Sequence, residues 1–448
     1  MTGEDKRIFD SRGSTQQFLF SKTDTRRLRR AEKITVAGTD AVLKSAFPNV
    51  LVGRPFIDDA LQRLDPIEQF AAMVIRLDPV NHDDEKHSRP DANDAQVVVA
   101  EILNRVCEME NGFWGAPESG LLASFFPGKT GSEYLKIAHS IQKGLKEKSK
   151  QTVTIGIAAY PTLDYDKSKI VDNARKALDH ASFFGPGSAV VFDAVSLNIS
   201  GDKLYEKGEI VEAVEELKKA LLLEPANVNV HNSLGVCYSI QGKYDQAMNA
   251  FKAVVATDPH EHMGFYNLGL AYIQTGQRRQ GLEFLLKANE IKDDVYEIAF
   301  QIGKLHLDLG EPQKGLPFLE RAAALKPKSG AAHRFLGDCY IAVNRPDAAV
   351  SSYKKAIKQN PHDAASMSAL GYLYEDRGQN PEIALMFCRE SVMLSPENGL
   401  FHYRLGRLYS NHNRFDDALA EFTKAKRFGY DAGGDIQETR ARMAKKSA

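Results

Sequence analysis

The chain has 448 residues, 43% of them hydrophobic and 26% charged, an ordinary globular composition with room for more than one domain. Lys plus Arg number 58 against 59 Asp plus Glu, so no net field favours nucleic acid or an anionic membrane as a partner. No apolar run approaches the ~20 residues that span a bilayer, and the start MTGEDKRIFDSRGS lacks the apolar stretch of a signal peptide, so the expected location is the cytoplasm.

In chain order, residues 1–34, with RRLRR at 26–30, lack apolar periodicity and read as a flexible or partly helical basic arm. Residues 35–193 read as an α+β domain. The pattern predicts a strand at FAAMVIRL, a polar loop containing HDDEKH at 82–87, a helix over DAQVVVAEILNRV and a hairpin through GFWGAPESGLLASFF. Two helix and strand pairs follow: SEYLKIAHSIQKGLKE with QTVTIGIAAY, then KSKIVDNARKALDHA with GSAVVF. Continuous apolar strands between helices are expected to form one sheet with helices on a single face, a palm-like layer. His82, Asp83, Asp84, Glu85 and His87 have metal-ligand chemistry, but a polar run of this kind is expected to be a solvated connection, and no metal or cofactor is expected.

From about residue 47 to 193 the segments, in order, resemble the GGDEF family of bacterial diguanylate cyclases. FPNVLVGRPFIDDAL resembles the family's entry motif, MVIRLD its xIDxD strand, ASFFPG the strand after the signature, VTIGIAAYP its VTxSxGxAxxP, and ARKALDHASFFGPGSAVV its closing helix. A class III nucleotide cyclase, which shares the palm-like core, stays open for GLLASFFP. The resemblance implies metal carboxylates, a glycine turn and phosphate cations, and here this chain departs from the family. Arg76 stands at the first metal aspartate and only Asp78 survives; the signature turn reads WGAPESG with Glu118 as its one acid; Ser182 and Pro186 replace the lysine and arginine. Losing metal, backbone and cation contacts together removes the evident transition-state stabilisation, so no catalysis is expected. The family's inhibitory RxxD motif is approximated by Arg105 and Glu108, which would mark a cyclic di-GMP site; a solvated helix end explains the same pair.

The rest of the chain repeats. Gly201, Gly235, Gly269, Gly303, Gly337 and Gly371 are spaced by 34 residues and Gly406 follows after 35. Twelve residues on stand Ala213, Ala247, Gly281, Gly315, Ala349 and Ala418, with Ala384 displaced by an insertion near Asn380; Pro225, Pro259, Pro327, Pro361 and Pro396 close five units. Small residues at fixed spacing predict two helices that cross closely, with tyrosines three after the glycine beside the crossing and proline ending the second helix. SLGVCYSIQGKYDQAMNAFKAVVATDP resembles the tetratricopeptide repeat, and seven repeats are expected over 194–432, with 433–448 as a polar capping helix and tail. Cys237 and Cys339 share one repeat position, and all four cysteines are expected to be packing residues.

The resemblance places the first helix of each repeat on a concave binding face. Asn198, Asn232, Tyr266, Phe300, Arg334 and Tyr403 then fall on equivalent inward sites, with Lys304, Asp338, Tyr372 and Arg407 one turn along. Amides, aromatics and arginines suit a peptide backbone with a few anchoring side chains. The expected function is a non-catalytic bacterial signalling adaptor holding protein or peptide partners. The alternative is a sensor whose N-terminal domain binds cyclic di-GMP or another nucleotide and regulates those interactions.

Overall fold

The computed structural model describes residues 39–79, 92–129, 131–149 and 151–447. The basic arm and the HDDEKH loop lie outside them. The chain divides into two units, one ending at Ala271 and one running from Tyr272 onward.

Unit one opens with α1 (Thr39–Ala46) and α2 (Arg54–Leu64), then β1 (Phe70–Leu77), α3 (Ala92–Met109), the hairpin β2 (Phe113–Glu118) and β3 (Leu121–Pro127), α4 (Gly131–Lys148), β4 (Val153–Tyr160), α5 (Ile170–Ala181) and β5 (Ala189–Val191). The sheet order is β2-β3-β1-β4-β5. β1 is antiparallel to both neighbours, and β4 and β5 are parallel. The predicted strands and helices form at those segments, but the expectation of helices on one face is overturned. Phe70, Ala72 and Val74 pack with α2 and α5, whereas Ala71, Met73 and Ile75 pack with α1, α3 and α4. A strand with six consecutive buried residues needs cover on both sides, and the continuous apolar run of FAAMVI was the sign of it.

The helical hairpins begin at α6 (Ala194–Lys207), whose N-terminus Asp193 caps by accepting the Ser196 amide at 2.8 Å. α7 (Ile210–Leu223), α8 (Val228–Ile240), α9 (Tyr244–Thr257) and α10 (His262–Gln274) follow, the last containing the division. The α2/α5 core runs on without a break into Leu197, Ala213, Leu217, Val230 and Cys237. Lys176 of α5 pairs with Glu216 at 2.5 Å and Asp179 with Lys203 at 2.8 Å. The first hairpin therefore stacks on α5 as it would on a preceding repeat, and the α+β domain covers an apolar end that a repeat array must otherwise cap.

Unit two holds α11 (Arg278–Ile291), α12 (Tyr296–Asp308), α13 (Pro312–Leu325), α14 (Gly330–Ala342), α15 (Pro346–Gln359), α16 (Ala364–Asp376), α17 (Pro381–Leu394), α18 (Gly399–Asn411), α19 (Phe415–Arg427) and α20 (Gly433–Ser447). The period glycines sit where the two helices of a hairpin meet. A Cβ on Gly303, Gly337 or Gly406 would come 2.5–2.7 Å from the side chain of Leu319, Tyr353 or Phe422, each sixteen residues on. In the lengthened repeat, a Cβ on Gly371 would come 2.7 Å from the Ala384 carbonyl oxygen and 2.8 Å from the Cys388 sulfur. Five second helices stop two residues before the repeat proline, because the residue preceding proline is pushed out of helical conformation. The four cysteines are free and buried, and burial pushes the Cys107, Cys237 and Cys388 thiols up to about 12 and Cys339 to about 11.

One periodic device carried no part of the sequence reading. Seven residues after each period glycine stands a left-handed residue: Gly208, Gly242, Gly276, Gly310, Asn344, Gly378 and Asn413. Only Gly, and less readily Asn, takes that conformation at low cost, so these seven residues form the tight turn between paired helices. The insertion needs a second one, Asn380 at φ 46°.

Candidate protein-interaction surface

In unit two the first helices of successive hairpins, α12, α14, α16 and α18, bring one set of sequence-predicted residues together. Phe300 and Lys304 on α12 meet Phe335 on α14, the ring centroids of the two phenylalanines 5.5 Å apart and the Lys304 ammonium 5.5 Å above the Phe335 ring. The Arg334 guanidinium lies over the same ring at 4.6 Å and reaches Asp363, at the start of α16, at 3.9 Å. Arg404 of α18 donates to the Ser368 hydroxyl of α16 at 3.3 Å and stands 5.7 Å above Tyr372. Tyr403 packs on Tyr430 with centroids 4.5 Å apart, and Arg407 pairs with Asp435 of α20 at 3.1 Å. Asp338 accepts the Tyr353 hydroxyl at 2.7 Å; burial raises its carboxyl, while Tyr353, Arg334 and Arg404 oppose that rise. Phe300, Lys304, Arg334, Asp338, Tyr372, Tyr403 and Arg407 are all half-buried, rimming a surface without being lost beneath it.

Phe335 and Arg404 escaped the sequence reading. Each stands two residues before its repeat glycine, so the same 34-residue register would have found them had two inward positions per turn been read instead of one.

In unit one the equivalent positions are interior. Asn198 and Asn232 are 2% exposed and Tyr266 1%. The Asn267 side chain donates to the Asn232 side-chain amide oxygen at 2.8 Å, and Asn198 donates to the Asp202 carboxylate one turn along α6 at 3.4 Å. The amides that looked like ligand contacts therefore sit between helices, where a buried amide needs a partner. Asp202 is 3% exposed, and burial pushes its carboxyl up to about 7, the Ser233 hydroxyl pulling the other way and Glu206 adding to the rise. An unfolded aspartate titrates near ~3.9, so between these values the folded chain holds a proton the unfolded chain has released, and stability falls as pH rises from ~4 to ~7. Asp202→Asn removes that loss. Its thermal midpoint relative to the parent should rise between pH 5 and pH 8; an identical difference at both pH values would refute the assignment.

In the α+β domain, the Arg76 guanidinium donates to the Ser182 hydroxyl at 2.7 Å. The buried Asp78 carboxylate accepts from Thr152 at 2.7 Å, Thr154 at 2.5 Å and the Gly187 amide at 2.8 Å. Glu118, at the β2–β3 turn, pairs with Arg175 of α5 at 3.2 Å. These residues tie β1, β4, the hairpin and the α5–β5 loop to one another. Arg105 and Glu108 stand exposed on the last turns of α3, and Glu108 accepts from Asn104 at 2.8 Å. Among the described residues no group of three or more His, Cys, Asp or Glu is placed to hold a metal ion, and no helix is long and apolar enough to cross a membrane.

Paired helices crossing at a small residue, with a left-handed turn inside each pair, define a helix-hairpin repeat array of the kind whose first helices offer a side-chain surface. Family models described as tetratricopeptide repeat match residues 240–278, 264–295 and 306–371, and one described as TPR repeat matches 201–239. The chain contains tetratricopeptide repeats. No curated protein matches it. It is similar to the solved structure of YrrB, described as a TPR protein with an unusual peptide-binding site, at 19% identity over 42% of this chain and 96% of that one, with a TM-score of 0.39. It is also similar to MamA, at 24% identity over 37% and 95% with a TM-score of 0.34, and to PilF of Pseudomonas aeruginosa, at 16% over 46% and 94% with a TM-score of 0.43.

Proposed function

We propose that the protein is a non-catalytic adaptor that holds partner proteins on the first-helix surface of its repeats. The observation that carries this reading is the connected surface of Phe300, Lys304, Arg334, Phe335, Tyr372, Tyr403, Arg404 and Arg407, where aromatic rings and guanidinium groups are half-buried yet reachable. Rigid aromatics and arginines of that kind dominate binding energy at protein interfaces. Arg334→Glu combined with Tyr403→Ala should reduce capture of host proteins by the full chain at least ~10-fold, because each change removes an anchor whose loss typically costs ~1–2 kcal/mol. Circular dichroism should show unchanged helicity. Undiminished capture by the folded variant would place the partner elsewhere.

The α+β domain is read within the same proposal as a degenerate GGDEF-like module serving as a rigid end-piece for the repeats. Its support is the use of the diverged positions: Arg76 is tied to Ser182 and Asp78 to two threonines and an amide, so groups that would face a metal and a triphosphate serve the domain's own framework. With GTP and magnesium the purified chain is expected to form no cyclic di-GMP above a protein-free control. A chromatographic product peak that disappears in Glu118→Ala would reverse this reading. The sensor alternative, with Arg105 and Glu108 as its contacts, would show as saturable binding of labelled cyclic di-GMP that Arg105→Ala abolishes.

A further inference from the structure

We propose that the segment held on the unit-two surface is an extended acidic peptide, its Asp or Glu carboxylates received by Lys304, Arg334, Arg404 and Arg407. This rests on the reading of that surface as the partner site and adds the partner's chemistry.

The charges on this surface are unequally paired. Four cations from α12, α14 and α18 converge on the surface. Among the described contacts the Lys304 ammonium meets only the Phe335 ring, and Arg404 meets the Ser368 hydroxyl and the Tyr372 ring; neither has a carboxylate within ion-pair distance. Arg334 has Asp363 at 3.9 Å, but that carboxylate is turned to its own helix start, accepting from the Ser366 amide at 3.3 Å and hydroxyl at 2.6 Å. Asp338, the acid among them, already accepts from Tyr353. Arg407 alone has a close carboxylate, Asp435 at 3.1 Å. Each guanidinium carries five N–H donors, of which Arg404 uses one nitrogen on Ser368 and Arg334 one on Asp363, so both keep donors for a carboxylate.

The same contacts disfavour a nucleic acid strand. Bases would need open ring faces, but Phe335 is covered by Lys304 and Arg334, Tyr372 by Arg404, and Tyr403 by Tyr430. Asp338, Asp363 and Asp435 would also oppose a polymer charged at every step, whereas a peptide can set neutral residues opposite them. First helices packed about 10 Å apart match about three residues of extended chain, so acids about three residues apart would reach α12 and α14, and one about six residues further on would reach α18.

The test uses the full chain and fluorescence anisotropy with labelled dodecapeptides of repeating Glu-Gly-Ser, Gln-Gly-Ser and Lys-Gly-Ser, and with a dodecathymidine strand. The Glu peptide should bind at least ~10-fold tighter than the Gln peptide at low salt, and the difference should shrink as salt screens it. Lys304→Gln with Arg404→Gln should remove most of that difference, while Lys355→Gln, an exposed cation on α15, should leave it intact. A Glu peptide that binds no better than Gln or Lys peptides, that ignores the double substitution, or that is equalled by the DNA strand overturns the proposal. If the Gln peptide binds as well as the Glu peptide and loses binding in Arg334→Glu, Tyr403→Ala, the surface still holds partners and only the acidic preference fails.

Discussion

Gly156→Ala is expected to lower the stability of unit one by ~3 kcal/mol or more, beyond the ~1–3 kcal/mol usual for an extra buried methyl. A Cβ at this β4 position would lie 2.1 Å from the Ala174 carbonyl, 2.2 Å from the Leu178 amide nitrogen and 2.7 Å from the Leu178 Cα. All three atoms belong to the backbone of α5, so no change of rotamer relieves the clash and the helix itself must move. α5 cannot move alone, because its far side carries α6 through Leu197 and the Asp179–Lys203 pair, and α7 through the Lys176–Glu216 pair. Urea unfolding followed by the fluorescence of Trp114, the one tryptophan, reports on the sheet directly, since Trp114 lies in β2 and donates to Asn104 of α3. Gly434→Ala is the matched control, with no neighbour within 4 Å of the added carbon. A midpoint for Gly156→Ala equal to that of the control would show that the α5–β4 approach is looser than described.

The repeat half was legible because its demands are local and recur. A glycine at the crossing, a small residue twelve further on and a proline after the second helix each answer a steric need that one sequence position can meet. The turn residues at 208, 242, 276, 310, 344, 378 and 413 answer another, but the mixture of Gly and Asn hides a need for positive φ behind two letters. The surface was harder to read. Asn198 and Asn232 occupy the same repeat position as Arg334, yet they are interior while Arg334 rims the surface. Periodicity assigns a direction to a side chain, not what packs over it. The sheet failed for a different reason: continuous apolar strands were assigned helices on a single face, but a strand apolar at six consecutive positions, as β1 is, needs cover on both, and helices scattered from residue 39 to 181 supply it. Asp78 shows the limit in the candidate site, since its identity suggests a ligand but Thr152, Thr154 and Gly187, more than seventy residues away, consume its oxygens.

Gly337→Leu should strongly destabilise unit two, and it should couple to Tyr353. The new Cβ would fall 2.6–2.9 Å from three atoms of the Tyr353 ring, which is 2% exposed and held by its hydroxyl on Asp338. Moving the ring breaks that bond and leaves the Asp338 carboxylate without its donor beneath the cations of the proposed partner site, so stability and capture should fall together. Overpacking at this position is expected to cost ~3 kcal/mol, and Tyr353→Ala alone a similar ~3–5 kcal/mol through the cavity it opens. The two faults are opposite in sign, one of excess volume and one of deficit. In the double variant leucine can occupy space the ring has vacated, so the combined loss should be smaller than the sum of the single losses by ~1–3 kcal/mol. Urea midpoints for the four members of this cycle decide the matter: strict additivity would mean that Gly337 and Tyr353 do not touch, and that the helix crossing at this repeat lies in a different register.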